Sequence, residues 1–200
     1  MKSNFGLSLL ATFAWTGLAF TGAEKMESYT VDTAQSTIEW KGYKVTGKHN
    51  GTVKVQSGSL DFDGEELVGG NFVIDMSSIT VLDLQGEYKA KLEGHLKSED
   101  FFGVEQHPTA SFVINKVISR GAPGDYRIEG DLTIKETTKP IKFNARIEEE
   151  GGQRVAVADI TLDRAEYNVR YGSGSFFDNL GDKTIYDEFD LTVNLVVNVQ

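Results

Sequence analysis

Side chains suited to chemistry are thinly spread along this sequence. Three histidines, His49, His95 and His107, stand too far apart for the i,i+4 pairing by which one helix face grips a metal, and there is no cysteine. No metal site is written here, and thiolate chemistry, disulfides and a lipid-modified cysteine are excluded. His95, four residues after Lys91 and next to Leu96, reads as a hydrogen-bonded structural group. A serine nucleophile needs a base and an orienting acid, and the one Gly-Ser-rich candidate is Tyr171-Gly172-Ser173-Gly174-Ser175-Phe176-Phe177. It is not a G-x-S-x-G nucleophile elbow and lacks the lysine of a phosphate loop. Two readings stay open for it, a plain strand connection or a nest of N–H groups that receives an anion or a carbonyl. Paired carboxylates such as Asp61/Asp63 and Asp187/Asp190 are expected to face water, because acid–base work would need perturbed groups in a cleft. No catalytic residue is assigned, and the chain is expected not to be an enzyme.

The elements that would position any site are strands, since the dominant hydrophobic period is two. Ile128, Gly130, Leu132 and Ile134 alternate with Glu129, Asp131, Thr133 and Lys135; Ile141, Phe143, Ala145 and Ile147 alternate with Lys142, Asn144, Arg146 and Glu148. The last segment places Phe189, Leu191, Val193, Leu195, Val197 and Val199 on one face. Less regular segments run from Ser36 to Val45, Thr52 to Gln56, Ser59 to Asp63, Asn71 to Ser77, Thr109 to Ile118 and Val155 to Asp163, about nine strands in all. Turn chemistry at Asp63-Gly64, Ala122-Pro123-Gly124 and Gly151-Gly152 makes consecutive strands hairpin neighbours. One apolar face per strand requires the sheet to close or to stack on a second sheet; long strands in meander order favour closure.

One segment breaks the period. Leu84, Tyr88, Leu92 and Leu96 recur every four residues, with Glu87/Lys91 and Glu93/Lys97 at helical spacing, which predicts one amphipathic helix. Gly94 within it costs about 1 kcal/mol relative to alanine, so packing against the barrel must hold it, as an end cap or as a plug or lid.

Length allows one domain with one core. Residues 1–23 carry Lys2, then an uncharged apolar run from Phe5 to Phe20, then small residues to Ala23, the layout of an export signal. The run is too short and too often broken for the roughly 20 apolar residues of a membrane span. The mature chain, 24–200, is therefore expected in the periplasm or outside the cell. Its formal charge is −11, against −10 for the whole sequence, because the leader removes one lysine. With no basic cluster, nucleic acid is excluded as a partner and anionic surfaces repel the chain on average.

Gly94-His95-Leu96-Lys97-Ser98-Glu99-Asp100-Phe101-Phe102, followed by Pro108 and Phe112, resembles the YceI family of exported lipid-binding proteins. Two further stretches share the resemblance, Gly130-Asp131-Leu132-Thr133-Ile134 with Thr138-Lys139-Pro140-Ile141, and Leu162-Asp163-Arg164 with Tyr167. It implies a lipocalin-like barrel of eight antiparallel strands with a helical insertion, binding an isoprenoid quinone, a prenyl chain or another long lipid, with no cofactor. Three positions depart from the family pattern. Leu92-Glu93 stands where Arg-Asp is frequent, Gly103 replaces an acid after Phe-Phe, and Glu136 lies near a family glycine. Loss of the arginine favours a neutral head over a phosphorylated one. A left-handed Glu136 would carry strain of order 1 kcal/mol.

The resemblance and the strand pattern together nominate an apolar lining of Trp40, Phe72, Ile74, Phe101, Phe102, Phe112, Ile114, Leu132, Phe143, Ile160, Phe176 and Phe189. The head-group candidates are His95, Ser98, Asp100, Arg164 and Arg170. Small inward residues, Gly130, Ala145, Ala156 and Ala158, are expected to leave space along a tunnel, although mixed sizes also fill a tapering solid core. The alternative function is an interaction barrel with a structural interior, whose surface or Gly-Ser loop makes transient contact with a membrane or with a redox or stress-response partner. Oligomeric state is left open.

Overall fold

The computed structural model describes residues 26–198, so the expected leader and Val199 lie outside the described residues. Nine antiparallel strands and one helix follow in the order β1 (Met26–Thr30), β2 (Thr37–Lys44), β3 (Gly47–Asp63), β4 (Glu66–Val81), α1 (Gly86–Lys97), β5 (Thr109–Ser119), β6 (Asp125–Ile134), β7 (Thr137–Glu150), β8 (Gln153–Asp163) and β9 (Ile185–Asn198). Each strand from β3 to β9 pairs with the next, β9 pairs with β2, and β2 pairs with β3, so the sheet closes on itself. β1 lies on the same edge of β3 as β2, opposite Ser59–Asp63 where β2 faces Gly47–Val53, and Val31 bridges to Val197. β1 and β2 thus form one interrupted stave, and the barrel has eight. The break is a turn in which Asp32 accepts the N–H groups of Ala34 and Gln35, while Ser36 Oγ accepts the N–H of Val196 at 3.0 Å.

Two strand assignments change. β1, with Tyr29 its only buried residue, shows no alternation and is not foreseen. The segments Thr52 to Gln56 and Ser59 to Asp63 are one strand, β3, because a bulge between Val55 and Ser57 switches which parity points inward. Val53 and Val55 face in before it, Leu60 and Phe62 after it. The expected turns form, with Gly151 and Gly152 at φ 59° and 80° in a two-residue hairpin. In the β6–β7 turn the left-handed residue is Lys135, φ 56°, and not Glu136.

Alternating directions put the β2–β3 turn, the α1 insertion, the β6–β7 turn and the 164–184 connection at one end, here the upper. The lower end holds the β3–β4, β5–β6 and β7–β8 turns and both described termini, and it is plugged. Phe62 meets Tyr29 edge-on, and the Arg154 guanidinium lies 4.0 Å from the Phe62 ring centre.

α1 docks on the upper end through Leu92 and Leu96, whereas Tyr88 points to solvent, 74% exposed, contrary to the expected stripe. Its firmest tie is polar: Glu93 accepts the Thr80 hydroxyl at 2.7 Å and the Val81 N–H at 2.9 Å. The Glu93 carboxyl is held below the usual glutamate range, first by the Thr80 hydroxyl and then by that N–H. Glu93 is paired with Lys89 at 3.7 Å, and not with Lys97 as the spacing suggested.

Candidate ligand-binding cavity

Aromatic side chains on the inner wall lie back against neighbouring staves instead of crossing the centre. The Trp40 ring rests over Gly51, its register partner on β3, where a Cβ would come within 2.6 Å of the ring. Phe112 covers Gly130 in the same way, at 2.5 Å, so Gly130 seats a ring and does not open space by itself. Phe72 stacks beside Phe112 with ring centres 6.4 Å apart, and Phe143 follows at 5.5 Å from Phe112.

The centre is therefore unfilled. A cavity of about 360 Å³ runs inside the barrel, within the size range of small-molecule sites. Inward residues of β7 to β9, among them Ile141, Phe143, Ala145, Ile160, Leu191 and Val193, stay only partly buried although they point inward, which is the signature of a lumen their side chains do not close. Ala145, Ala156 and Ala158 line it.

Polar lining groups gather at the upper end, where Lys44, His49, His95, Arg164 and Tyr186 join it, and among the described residues no carboxylate lines the cavity. Tyr186 is half exposed, so the cavity reaches the surface there. His95 is held edge-on between Phe101 and Tyr171, with ring centres at 5.6 and 4.4 Å, and its Nε2 is buried with no hydrogen-bond partner. The Trp40 indole Nε1 is likewise buried and unpaired. In an apolar lumen such groups each forgo a hydrogen bond unless a ligand or water supplies it.

Arg164, 3% exposed, is a structural hub as well as a lining residue. Its Nε donates to the Tyr186 carbonyl at 3.1 Å, Nη1 to Val169 at 2.7 Å and Nη2 to Ile185 at 3.0 Å. Asp187 Oδ1 stands 3.2 Å from Nη2 as an ion pair without an aligned hydrogen bond. Burial pulls the guanidinium below the ordinary arginine value and Asp187 opposes this, so the group stays charged. Asp187 also ties the Gly-Ser loop, accepting the hydroxyls of Ser173 at 2.9 Å and Ser175 at 2.6 Å. The Ser175 N–H is used by Ser173 Oγ, so the loop is a folded connection and not an open nest.

The profile of the YceI-like domain matches residues 29–197, nearly all of the described barrel. The chain belongs to the YceI-like family. Among its relatives, a UPF0312 protein of Vibrio parahaemolyticus is 28% identical over 187 residues, spanning 86% of this chain and 93% of the relative. A UPF0312 protein of Shewanella denitrificans is 29% identical over 150 residues, 72% of this chain and 74% of the relative. The crystal structure of Burkholderia cenocepacia BcnA superposes with a TM-score of 0.69 at 21% identity, covering 83% of this chain and 98% of BcnA. A polyisoprenoid binding domain from Saccharophagus degradans does so with a TM-score of 0.62 at 12% identity, covering 86% and 98%. At these identities the structural likeness speaks for the fold.

Within this YceI-like barrel the nominated lining residues do not all meet. Trp40, Phe72, Ile74, Phe101, Phe102, Phe112, Ile114, Leu132, Phe143, Ile160 and Phe189 border the cavity, but Phe176 does not: it is 42% exposed on the 164–184 connection, beneath the Arg170 guanidinium at 4.6 Å. Arg170 is consequently outside the cavity as well. Ser98 ends α1 with its hydroxyl donating to the His95 carbonyl at 2.8 Å, and Asp100 is exposed on the following loop, so neither reaches the lumen. Of the polar candidates only His95 and Arg164 do. The family's frequent arginine is replaced by Leu92, which adds to the apolar lining. Gly103, in place of the family acid, sits at φ 57°, a left-handed position that suits glycine. Lys44, His49 and Tyr186 at the mouth were not nominated. The inward parity of Trp40 and Gly42 extends to Lys44 and was the available signal, whereas His49, bonded to Asp83 at 2.8 Å, carries none.

Proposed function

We propose that this protein is an exported, non-enzymatic carrier or sequestering protein that holds a long apolar molecule, an isoprenoid quinone, polyprenyl chain or similar lipid, inside its barrel. The observation that carries this reading is the unfilled lumen, apolar along its length and polar only near its mouth. The likeness to a polyisoprenoid binding domain supports the ligand class, and the leader-like first 23 residues support export. A buried methylene contributes about 0.8 kcal/mol, so ten buried carbons supply roughly 8 kcal/mol before association costs of several kcal/mol.

The buried end groups, unlike Lys44 at the rim, favour a head without charge. Arg164, the buried cation at the lumen, already serves three backbone carbonyls and Asp187, which leaves little for a phosphate. His95 Nε2 is free to bond a carbonyl or hydroxyl once the tail is seated. Native mass spectrometry of protein purified from its own host tests the reading. A copurifying, solvent-extractable apolar molecule is the expected result; bare protein mass in every preparation, with no uptake of any added lipid class, would refute it.

A further inference from the structure

We infer that the upper end of the barrel is a docking surface for a lipid bilayer with uncharged or zwitterionic headgroups. Large apolar side chains left exposed elsewhere are scattered singly, as is normal for a soluble surface. At the upper end they collect: Leu82 ahead of α1, Tyr88 on its outer face, and Tyr171, Phe176, Phe177 and Tyr186 on and just after the 164–184 connection, the last four each between 42% and 51% exposed. The set is continuous with the mouth. Tyr171 packs on His95 of the lining at 4.4 Å, Tyr186 itself lines the cavity, and Val45 of the β2–β3 turn hydrogen-bonds Thr184 at 3.2 Å.

Aromatic side chains with an apolar body and a polar edge favour the headgroup level of a bilayer. Arg170 over Phe176, at 4.6 Å, places a cation where it reaches lipid phosphates while the ring enters the acyl boundary. Charge selects among membranes. The connection carries Arg164, Arg170 and Lys183 against Glu166, Asp178 and Asp182, and the chain as a whole is at −10, so attraction to anionic lipid cannot be the driving force. Ring insertion is. Docking in this orientation sets the mouth on the lipid, so that an apolar chain passes from bilayer to lumen without crossing water. This function of the surface rests on the lipid-holding reading above.

The test uses residues 24–200, phosphatidylcholine vesicles with and without phosphatidylglycerol, and the double substitution Phe176→Ser/Phe177→Ser. Both rings are exposed, so folding should persist, as circular dichroism will report. Wild type is expected to float with phosphatidylcholine vesicles and no better with phosphatidylglycerol present. The double variant should lose about tenfold or more in partitioning per ring, while its equilibrium uptake of the soluble apolar fluorophore N-phenyl-1-naphthylamine stays unchanged. Wild type that stays with the soluble fraction, or a variant that floats equally well, overturns the proposal. So does sedimentation velocity showing a wild-type dimer that the substitution dissolves, since the patch would then serve a second copy of this chain. Flotation that requires the rings, in a wild type that takes up no fluorophore, would uphold the surface and sink the carrier reading.

Discussion

Two residues at the upper end separate holding the fold from holding a ligand. Arg164 binds three carbonyls on two segments, Val169 in the 164–184 connection and Ile185–Tyr186 at the start of β9, and truncating it strands those acceptors and the Asp187 charge inside the protein. Arg164→Met is expected to cost about 3–5 kcal/mol in urea unfolding, and Arg164→Lys to recover little, because an ammonium cannot present the same planar fork. A loss below 1 kcal/mol would contradict the hub. His95 should behave in the opposite way. His95→Phe keeps the ring packing against Phe101 and Tyr171 and removes an unpaired Nε2, so stability holds or rises, while affinity for a lipid with a carbonyl or hydroxyl head falls by about fivefold, one hydrogen bond's worth. Equal affinity of both proteins for that lipid in a fluorescence titration would remove His95 from the site. At this scale the sequence was a partial guide. Strand alternation pointed Trp40, Phe143 and Ile160 inward, but Phe176, Ser98, Asp100 and Arg170 sit in connections, where no period ties a side chain to a face.

Elements explain both what was legible and what was not. β6 and β7 show an unbroken period of two, β9 one broken only at Val196, and all three stand where the pattern puts them; β3 was split in reading because its bulge reverses parity mid-strand, and β1 was missed because five residues with a single buried side chain leave no pattern. α1 was legible as a helix, yet its docking through Glu93 to Thr80 and Val81 depends on a tertiary neighbour. Two outcomes follow for it. A Cβ at Gly94 meets nothing within 4 Å, so Gly94→Ala should raise unfolding free energy by about 0.5–1 kcal/mol; a loss would show that the helix is strained there. Glu93 has its folded pKa depressed, so its contribution is present above the ordinary carboxylate range and is lost as pH falls through the depressed value. Hydrogen exchange in α1 should accelerate on acidification in wild type and vary less with pH in Glu93→Gln. Identical pH profiles would count against the tie.

For the whole molecule, closure of eight staves leaves a lumen whose rings lie against glycines and whose alanines stop short of the axis. Closure was readable from strand number and order, but the emptiness was not, because the same mix of large and small residues also describes a solid taper. It took ring placement to decide. Trp40 makes the central claim measurable, because it is the only tryptophan of residues 24–200, on the lumen wall. The decisive measurement is quenching of Trp40 fluorescence in residues 24–200 by a long-chain lipid brominated along its tail, beside the lumen-filling variant Ala145→Phe. Saturable quenching near one equivalent in wild type, strongly weakened in a variant that remains folded, is the expected result. Quenching that never saturates, or that Ala145→Phe leaves untouched, would contradict an apolar chain held inside the barrel.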